Sequence, residues 1–561
     1  MKTLTLLLFT LVLAATVLAQ STASQNLPVQ HVIIVVQENR TIDNLFANDP
    51  NLSGVHFSPT GKCGTQTITA TSYQLDACFD ASHAHTAWET SYDDGGMDGF
   101  CQIPSGIGSC TTAQQVGIPT CVVNGVTVKC PQYTTVNASQ IDQYFQIAKN
   151  GGFANYMFQT NQGPSFPAHQ FLFTGTSEPI APTTAFYRWF AAENATFPSG
   201  DRDKGEHNGC LADVGTVVQE VDPNNGSESP GFTPTYVDPL DQTAGYPCYR
   251  HNTMVDVLNR ATPAITWRYY TTGTNLPNDG SLWNAPNAIF DICVPSGSTT
   301  TDSSTCTGNV YNRNVVNNLQ LFTDLGANPS SPQCTLPQVS WVIPSGAWSD
   351  HPGTVGSDGG PSWVAAIVNA VGGFNNDGTP LPAQCHYFGN TVILTTWDDW
   401  GGFFDDVNPI AMSSGNGGNQ GYPGTTNGEF YVYGFRVPLL VTSTFAKPNY
   451  VSGSAVFPPV CPNKYCHDFG SILNFVEFAF GSAGGSLGEI CLGCGGGWHY
   501  DDFFTQDQGA AGYSLHDFFD FTKRNPFVQV TGAKYPTSCF LSQNAAAGCF
   551  TTFLTDLTDS D

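Results

Sequence analysis

The sequence predicts an α/β fold, a doubly wound sandwich of helices around a mostly parallel sheet. Three observations predict it. Isolated apolar runs of strand length recur along the chain, each followed at its C-terminal end by polar, Gly or Pro residues. The runs are continuous in Val, Ile and Leu rather than alternating, as strands covered on both faces require. Helical patterns lie between them, the order expected of a doubly wound sheet.

Taken in chain order, Lys2 precedes an apolar run that ends in Val17, Leu18 and Ala19, which reads as a Sec-type signal peptide over residues 1–19. The run is about 15 residues, short of the about 20 that a membrane span needs. The rest, 20–561, is expected as one domain, exported to the periplasm or the medium. His31–Val36 is the first strand. Cys63–Cys130, rich in Cys, Gly, Thr and Ser, reads as a stapled insertion or lid over about residues 60–130. Residues 161–179, NQGPSFPAHQFLFTGTSEP, place Ser165 at the start of a helix after a Gly-Pro break. A second loop-rich insertion spans about 198–247. Helices are expected at Thr253–Ala261, Ser362–Gly372 and Gly470–Gly481, and strands at Pro263–Tyr270, Val339–Pro344, Thr391–Thr396 and Arg436–Ser443.

Composition narrows function. Lys and Arg number 18 against 45 Asp and Glu, a formal charge of −27, so a phosphate backbone would meet repulsion and nucleic acid is excluded as a partner. The 18 cysteines fit an oxidising compartment. Cys101/Cys110, Cys121/Cys130 and Cys461/Cys466 look like loop staples. Cys491 and Cys494 form a CxxC that reads as a staple in a glycine loop rather than a redox or zinc half-site, since no second CxxC stands at zinc spacing.

In such sheets ligands bind at the carboxyl ends of strands. The first strand runs into Glu38, Asn39, Arg40 and Asp43, and the strand Thr391–Thr396 runs into Asp398 and Asp399. Together they form a set of hard oxygen donors suited to a divalent cation and too anionic to lie together unneutralised; apart they are solvated loop acids. Ser165 at a helix N-terminus is either a nucleophile, placed where phosphate is favoured, or a plain N-cap. The Thr174–Ser177 hydroxyls, about two and a half turns later, are better suited to ending that helix. Arg40 either reaches phosphate or braces Asp43.

HVIIVVQENRTIDNLFA, Gly95–Phe100, ITWRYY, Ser349–Pro352, TTWDDWGGFFDDV, YGFRVPLLVTS and DFFDFTKRNPF, in this order, resemble the bacterial phosphoesterase family that includes phospholipases C and an acid phosphatase, within the alkaline phosphatase-like superfamily. The resemblance implies an alkaline phosphatase-like α/β/α sandwich and a phosphoester hydrolase with one divalent ion, Ca, Mg, Mn or Zn. Its ligands would be Glu38, Asn39, Asp398 and Asp399, joined by Ser165 as nucleophile. His83 and His351 would contact phosphate, with His85 a less certain neighbour. The substrate would be a phospholipid or a phosphomonoester, the former bringing transient contact with a membrane surface. A histidine proton donor implies an acid optimum. The chain departs from the family pattern at Ala168 and His169, where Asn and Arg are usual, and at Asp468–Phe469, where Asp–His is usual and His467 stands on the other side. The alternatives are a catalytically silent cell-surface or adhesion protein on the same fold, and a glycosidase using Asp398 and Asp399, whose adjacent positions point to opposite faces.

Overall fold

The computed structural model describes residues 27–49, 52–179, 190–196, 209–212, 215–221, 245–272, 282–297, 306–353, 358–410, 432–455, 465–481, 513–541 and 549. The expected signal peptide, most of the second insertion, and Cys461, Cys491 and Cys494 lie outside them.

Eight strands form the central sheet: β1 (His31–Gln37), β2 (Gly152–Ala154), β3 (Trp267–Thr271), β4 (Val315–Asn317), β5 (Val339–Val342), β6 (Thr391–Trp397), β7 (Leu439–Ser443) and β8 (Tyr450–Ser452). Their order is β4-β3-β5-β1-β6-β7-β2-β8. The expected strands therefore form, and the sheet is mostly parallel. β7 is the exception, pairing antiparallel with both β6 and β2. Two strands start later than their apolar runs suggest. β3 begins at Trp267 because Ile265 N donates to the Leu258 carbonyl and Thr266 N to the Gln338 side chain rather than to the ladder, and β7 begins after Pro438, which has no N–H to give. β2, β4 and β8 have three residues each, too few for a periodicity signal.

Val32–Val36 are fully buried on both faces of β1, each contributing about 1.5–3 kcal/mol of apolar burial. The covering helices pack in two groups. α1 (Asp142–Asn150) packs with α4 (Gly360–Val371), while α2 (Ser165–Thr174) packs with α3 (Met254–Arg260) and α5 (Phe469–Phe480). Capping boxes start α3, through Thr253 and Asp256, and α5, through Asp468 and Ser471.

The first insertion carries three disulfides: Cys63–Cys101, Cys78–Cys110 and Cys121–Cys130. The expected Cys101/Cys110 staple is therefore wrong; sequence proximity favours it, but the fold sets each against a cysteine more than 30 residues upstream. The insertion also owns two small apolar clusters, one joining Trp88 and Phe100 to Trp400 and Phe404, the other joining Tyr73 and Phe79 to Phe403. Both rest on the loop that follows β6, so staples and packing together fix the insertion to it.

Candidate active site

β1 and β6 are parallel neighbours with Gln37 opposite Trp397, so the two loops leave the sheet at one level. Glu38 and Asn39 come from the first, Asp398 and Asp399 from the second. Backbone bonds lock the loops together: Asn39 N donates to Asp398 Oδ1 at 3.0 Å, and Arg40 N donates to the Asp399 carbonyl at 2.9 Å. Asn39 adopts φ +61°, a left-handed conformation that Asn tolerates better than most residues. Gly401 presses against it; a Cβ there would stand 2.3 Å from the Asn39 carbonyl oxygen.

β5, on the other side of β1, leads to Ser349–Pro352. The Gln37 side chain stitches this third loop in place, donating to the Trp348 carbonyl at 2.9 Å and accepting from Asp350 N at 2.8 Å. His351 is buried there, with Nδ1 2.7 Å from the Pro352 carbonyl. His83 comes from the insertion; its Nδ1 lies 2.9 Å from the Ala81 carbonyl and its Nε2 2.9 Å from Asn39 Nδ2. The two imidazoles meet edge to face, ring centres 6.0 Å apart.

Ser165 is the first residue of α2, and Pro164, not Ser165, occupies the N-cap. Its hydroxyl donates to Asp399 Oδ2 at 3.3 Å instead of capping its own helix. The Thr174 hydroxyl donates to the Gln170 carbonyl and the Ser177 hydroxyl to the Ala191 carbonyl, both spent on backbone. The structure thus gathers Glu38, Asn39, Ser165, Asp398 and Asp399 at one point, with His83 and His351 beside them.

Glu38, Asn39 and Asp398 are buried, yet Glu38 Oε1, Asn39 Oδ1 and Asp398 Oδ2 have no hydrogen-bond partner among the described residues. Burial, then the charge of Asp398 and the hydrogen bond that Asp398 offers the protonated form, push the Glu38 carboxyl well above its usual range, with His351 pulling the other way and Asp399 adding a smaller push. Buried carboxylate oxygens without partners among the described residues fit a bound cation.

His169 joins them unforeseen. Its Nε2 stands 3.3 Å from Glu38 Oε1 and 3.7 Å from Asp398 Oδ2, and burial lowers its pKa to about 4. It lies four residues after Ser165, hence on the same face of α2. That spacing was the signal available in the sequence.

Other expectations fall away. Arg40 does neither of its two jobs: its guanidinium donates to the Asp350 carbonyl, the Leu75 carbonyl and Asn44. His85, the less certain phosphate neighbour, is buried against Trp88, 3.5 Å from Glu89 and with Nδ1 3.2 Å from the Gln162 carbonyl, and burial lowers its pKa to about 4. His467 bonds Ser452 at 2.8 Å while Asp468 caps α5, so this pair works for the fold.

The family described as the Phosphoesterase family matches residues 29–482. The chain is 28% identical over 162 residues to a protein named non-hemolytic phospholipase C from Pseudomonas aeruginosa, covering 26% of this chain and 20% of that one. It is 30% identical over 159 residues to a protein of the same name from Burkholderia pseudomallei, covering 26% and 19%. The chain thus spans about a fifth of the length of the curated relatives it matches.

Proposed function

Because the chain belongs to the Phosphoesterase family, we propose that it is a metal-dependent phosphoester hydrolase acting through a phosphoserine at Ser165. The observation that carries this reading is the serine hydroxyl 3.3 Å from Asp399 Oδ2, beside buried oxygens that lack partners among the described residues. Glu38, Asn39, Asp398, Asp399 and Ser165 would hold one divalent ion, which when bound neutralises phosphoryl charge and favours the serine alkoxide. His83 holds the Asn39 amide with Oδ1 free to face that ion, since its Nε2 accepts from Nδ2.

The rest of the chemistry belongs to the chain. The Ser165 proton rests with Asp399 while Oγ attacks phosphorus, and the bond to the leaving alcohol breaks as His351 supplies that alcohol with a proton. Water then attacks the phosphoserine as His351 takes the water's proton, the P–Oγ bond breaks, Asp399 returns its proton to Oγ, and the phosphate or phosphomonoester product leaves with Ser165 and His351 restored. A silent adhesion protein would have no need of this set.

A phospholipid is the substrate we favour. The curated relatives carry the name phospholipase C. The insertion adds a second support: in a chain of charge −27, Gly99–Ile141 contains no Asp or Glu. Here the disulfide-tied hairpin Thr120–Lys129 bares Val122 and Val126, and the turn before it bares Val116. Uncharged aliphatic tips suit a lipid interface. Seven disulfides and no free cysteine among the described residues suit an exported protein, and among those residues no helix is long and apolar enough to cross a membrane.

The test is turnover of phosphatidylcholine beside p-nitrophenyl phosphate, each with and without chelator. Both reactions are expected to stop on chelation and to return with added divalent ion. Turnover that survives exhaustive chelation overturns the metal role, and turnover of the monoester alone replaces the phospholipid with a phosphatase substrate.

A further inference from the structure

His169 lies one turn after Ser165 on α2, facing Glu38 and Asp398. We propose that His169 Nε2 is a direct ligand of the ion, turning an all-oxygen site into a mixed nitrogen and oxygen site that selects a transition ion such as Zn²⁺ over Ca²⁺ or Mg²⁺. The proposal rests on the metal reading above and names which metal that site prefers.

Geometry carries it. Ser165 and His169 project from one face of α2 toward the loops after β1 and β6. His169 Nε2 is 3.3 and 3.4 Å from the two Glu38 oxygens and 3.7 Å from Asp398 Oδ2. Charge-assisted N–H···O bonds run about 2.7–2.9 Å, and one ring N–H cannot serve two carboxylates at once. Donors sharing an ion at about 2.1 Å lie about 3.0–3.4 Å apart, the spacing seen between His169 and Glu38. The two oxygens nearest Nε2 on separate residues, Glu38 Oε1 and Asp398 Oδ2, are the ones without hydrogen-bond partners among the described residues. One nitrogen atom and one oxygen from each of these two carboxylates all lie within 4.8 Å of one another.

Chemistry then sets the preference. Imidazole suits Zn²⁺, Cu²⁺, Fe²⁺ and Ni²⁺, whereas Ca²⁺, Mg²⁺ and Mn²⁺ favour oxygen. Calcium, the abundant ion outside the cytoplasm, fills the oxygen set well but gains little from the imidazole.

The experiment is competition binding of Zn²⁺, Co²⁺ and Ca²⁺ to metal-stripped full-length protein, read with a chromophoric chelator, beside the visible absorption spectrum of the Co²⁺ form. Wild type is expected to prefer Zn²⁺ to Ca²⁺. His169→Gln should weaken Zn²⁺ by about 100-fold, leave Ca²⁺ within about threefold and change the Co²⁺ spectrum. Circular dichroism of the variant checks its fold, and His169→Asn serves as a second variant. Variants that keep the wild-type preference and Co²⁺ spectrum overturn the assignment and leave His169 as a hydrogen-bond donor to Glu38, with the oxygen site intact. Binding of no ion by wild type overturns the metal site itself.

Discussion

The loops after β1 and β6 each feed two buried carboxylate clusters, and the two clusters are finished differently. In one, Asp43, Asp405 and Asp406 surround the buried Arg436, which donates to Asp405 at 2.8 and 3.1 Å and to Asp406 at 2.9 Å and lies 3.4 Å from Asp43. His56 closes its edge, 3.3 Å from Asp406. In the other, Glu38, Asp398 and Asp399 meet the nearby Arg40 turned away to carbonyl oxygens of other loops. The first cluster carries its own cation and is part of the scaffold. The second leaves buried oxygens bare among the described residues, and a protein keeps such a cost where a ligand removes it.

The largest expected effect breaks function without touching either cluster's charge. Ser165→Ala should lower turnover by about 10⁴-fold or more, because water must then be activated directly, while the thermal midpoint moves by no more than about 2 °C. Steady-state kinetics beside calorimetry checks this. A trapped phosphopeptide mapping to Thr174, Thr176 or Ser177 would refute Ser165 as the nucleophile.

Next in size is a test of stability in chelator. Arg436→Met strands the buried Asp43 and Asp405 and the partly buried Asp406, and should destabilise by about 3–5 kcal/mol. Asp398→Asn removes a charge from a cluster that has no chain cation and should be neutral or stabilising in the same buffer. Urea denaturation of both variants decides; if Asp398→Asn costs as much as Arg436→Met, the distinction between the clusters fails.

How far the sequence announces all this follows from where each signal lies. Long runs such as His31–Val36 announce their strands because burial on both faces dictates composition. The residues after them announce chemistry, since no packing need explains Glu38 and Asn39 beside Asp398 and Asp399. Arg40 and Arg436 could not be assigned: Arg40 lies between Glu38 and Asp43 while Arg436 has only apolar and aromatic neighbours, and only the fold decides that Arg436 reaches Asp43 while Arg40 reaches carbonyls more than 30 residues away. His169 was overlooked because the departure from the family pattern reads as a lost contact until α2 turns it onto Glu38. Disulfide pairing failed at Cys101 because nearness along the chain carries no information about the path between.

The smallest expected effect is a pH slope. Burial lowers the pKa of His85, His169 and His251 to about 4 from 6.5. The unfolded chain therefore takes up protons below pH 6.5 that the fold refuses, and these groups fall silent above it. Carboxyls act in the opposite sense. Glu38, raised by burial and then by Asp398 and Asp399, and Glu220, raised to about 8 by burial, stay protonated in the fold at pH values where the unfolded chain has released the proton. The folded state then binds more protons, so stability falls as pH rises, by up to about 1.4 kcal/mol per unit for each group. Between pH 6.5 and 8 the histidines no longer mask this, and chelated protein should lose stability across that window. A bound cation favours the ionised Glu38, so loading the site should remove that residue's share, and Glu220→Gln should remove a second. Urea denaturation at several pH values, with and without divalent ion, measures both. A slope that metal leaves unchanged would mean that the ion does not sit against Glu38, and the bare cluster would then need another explanation for its missing cation.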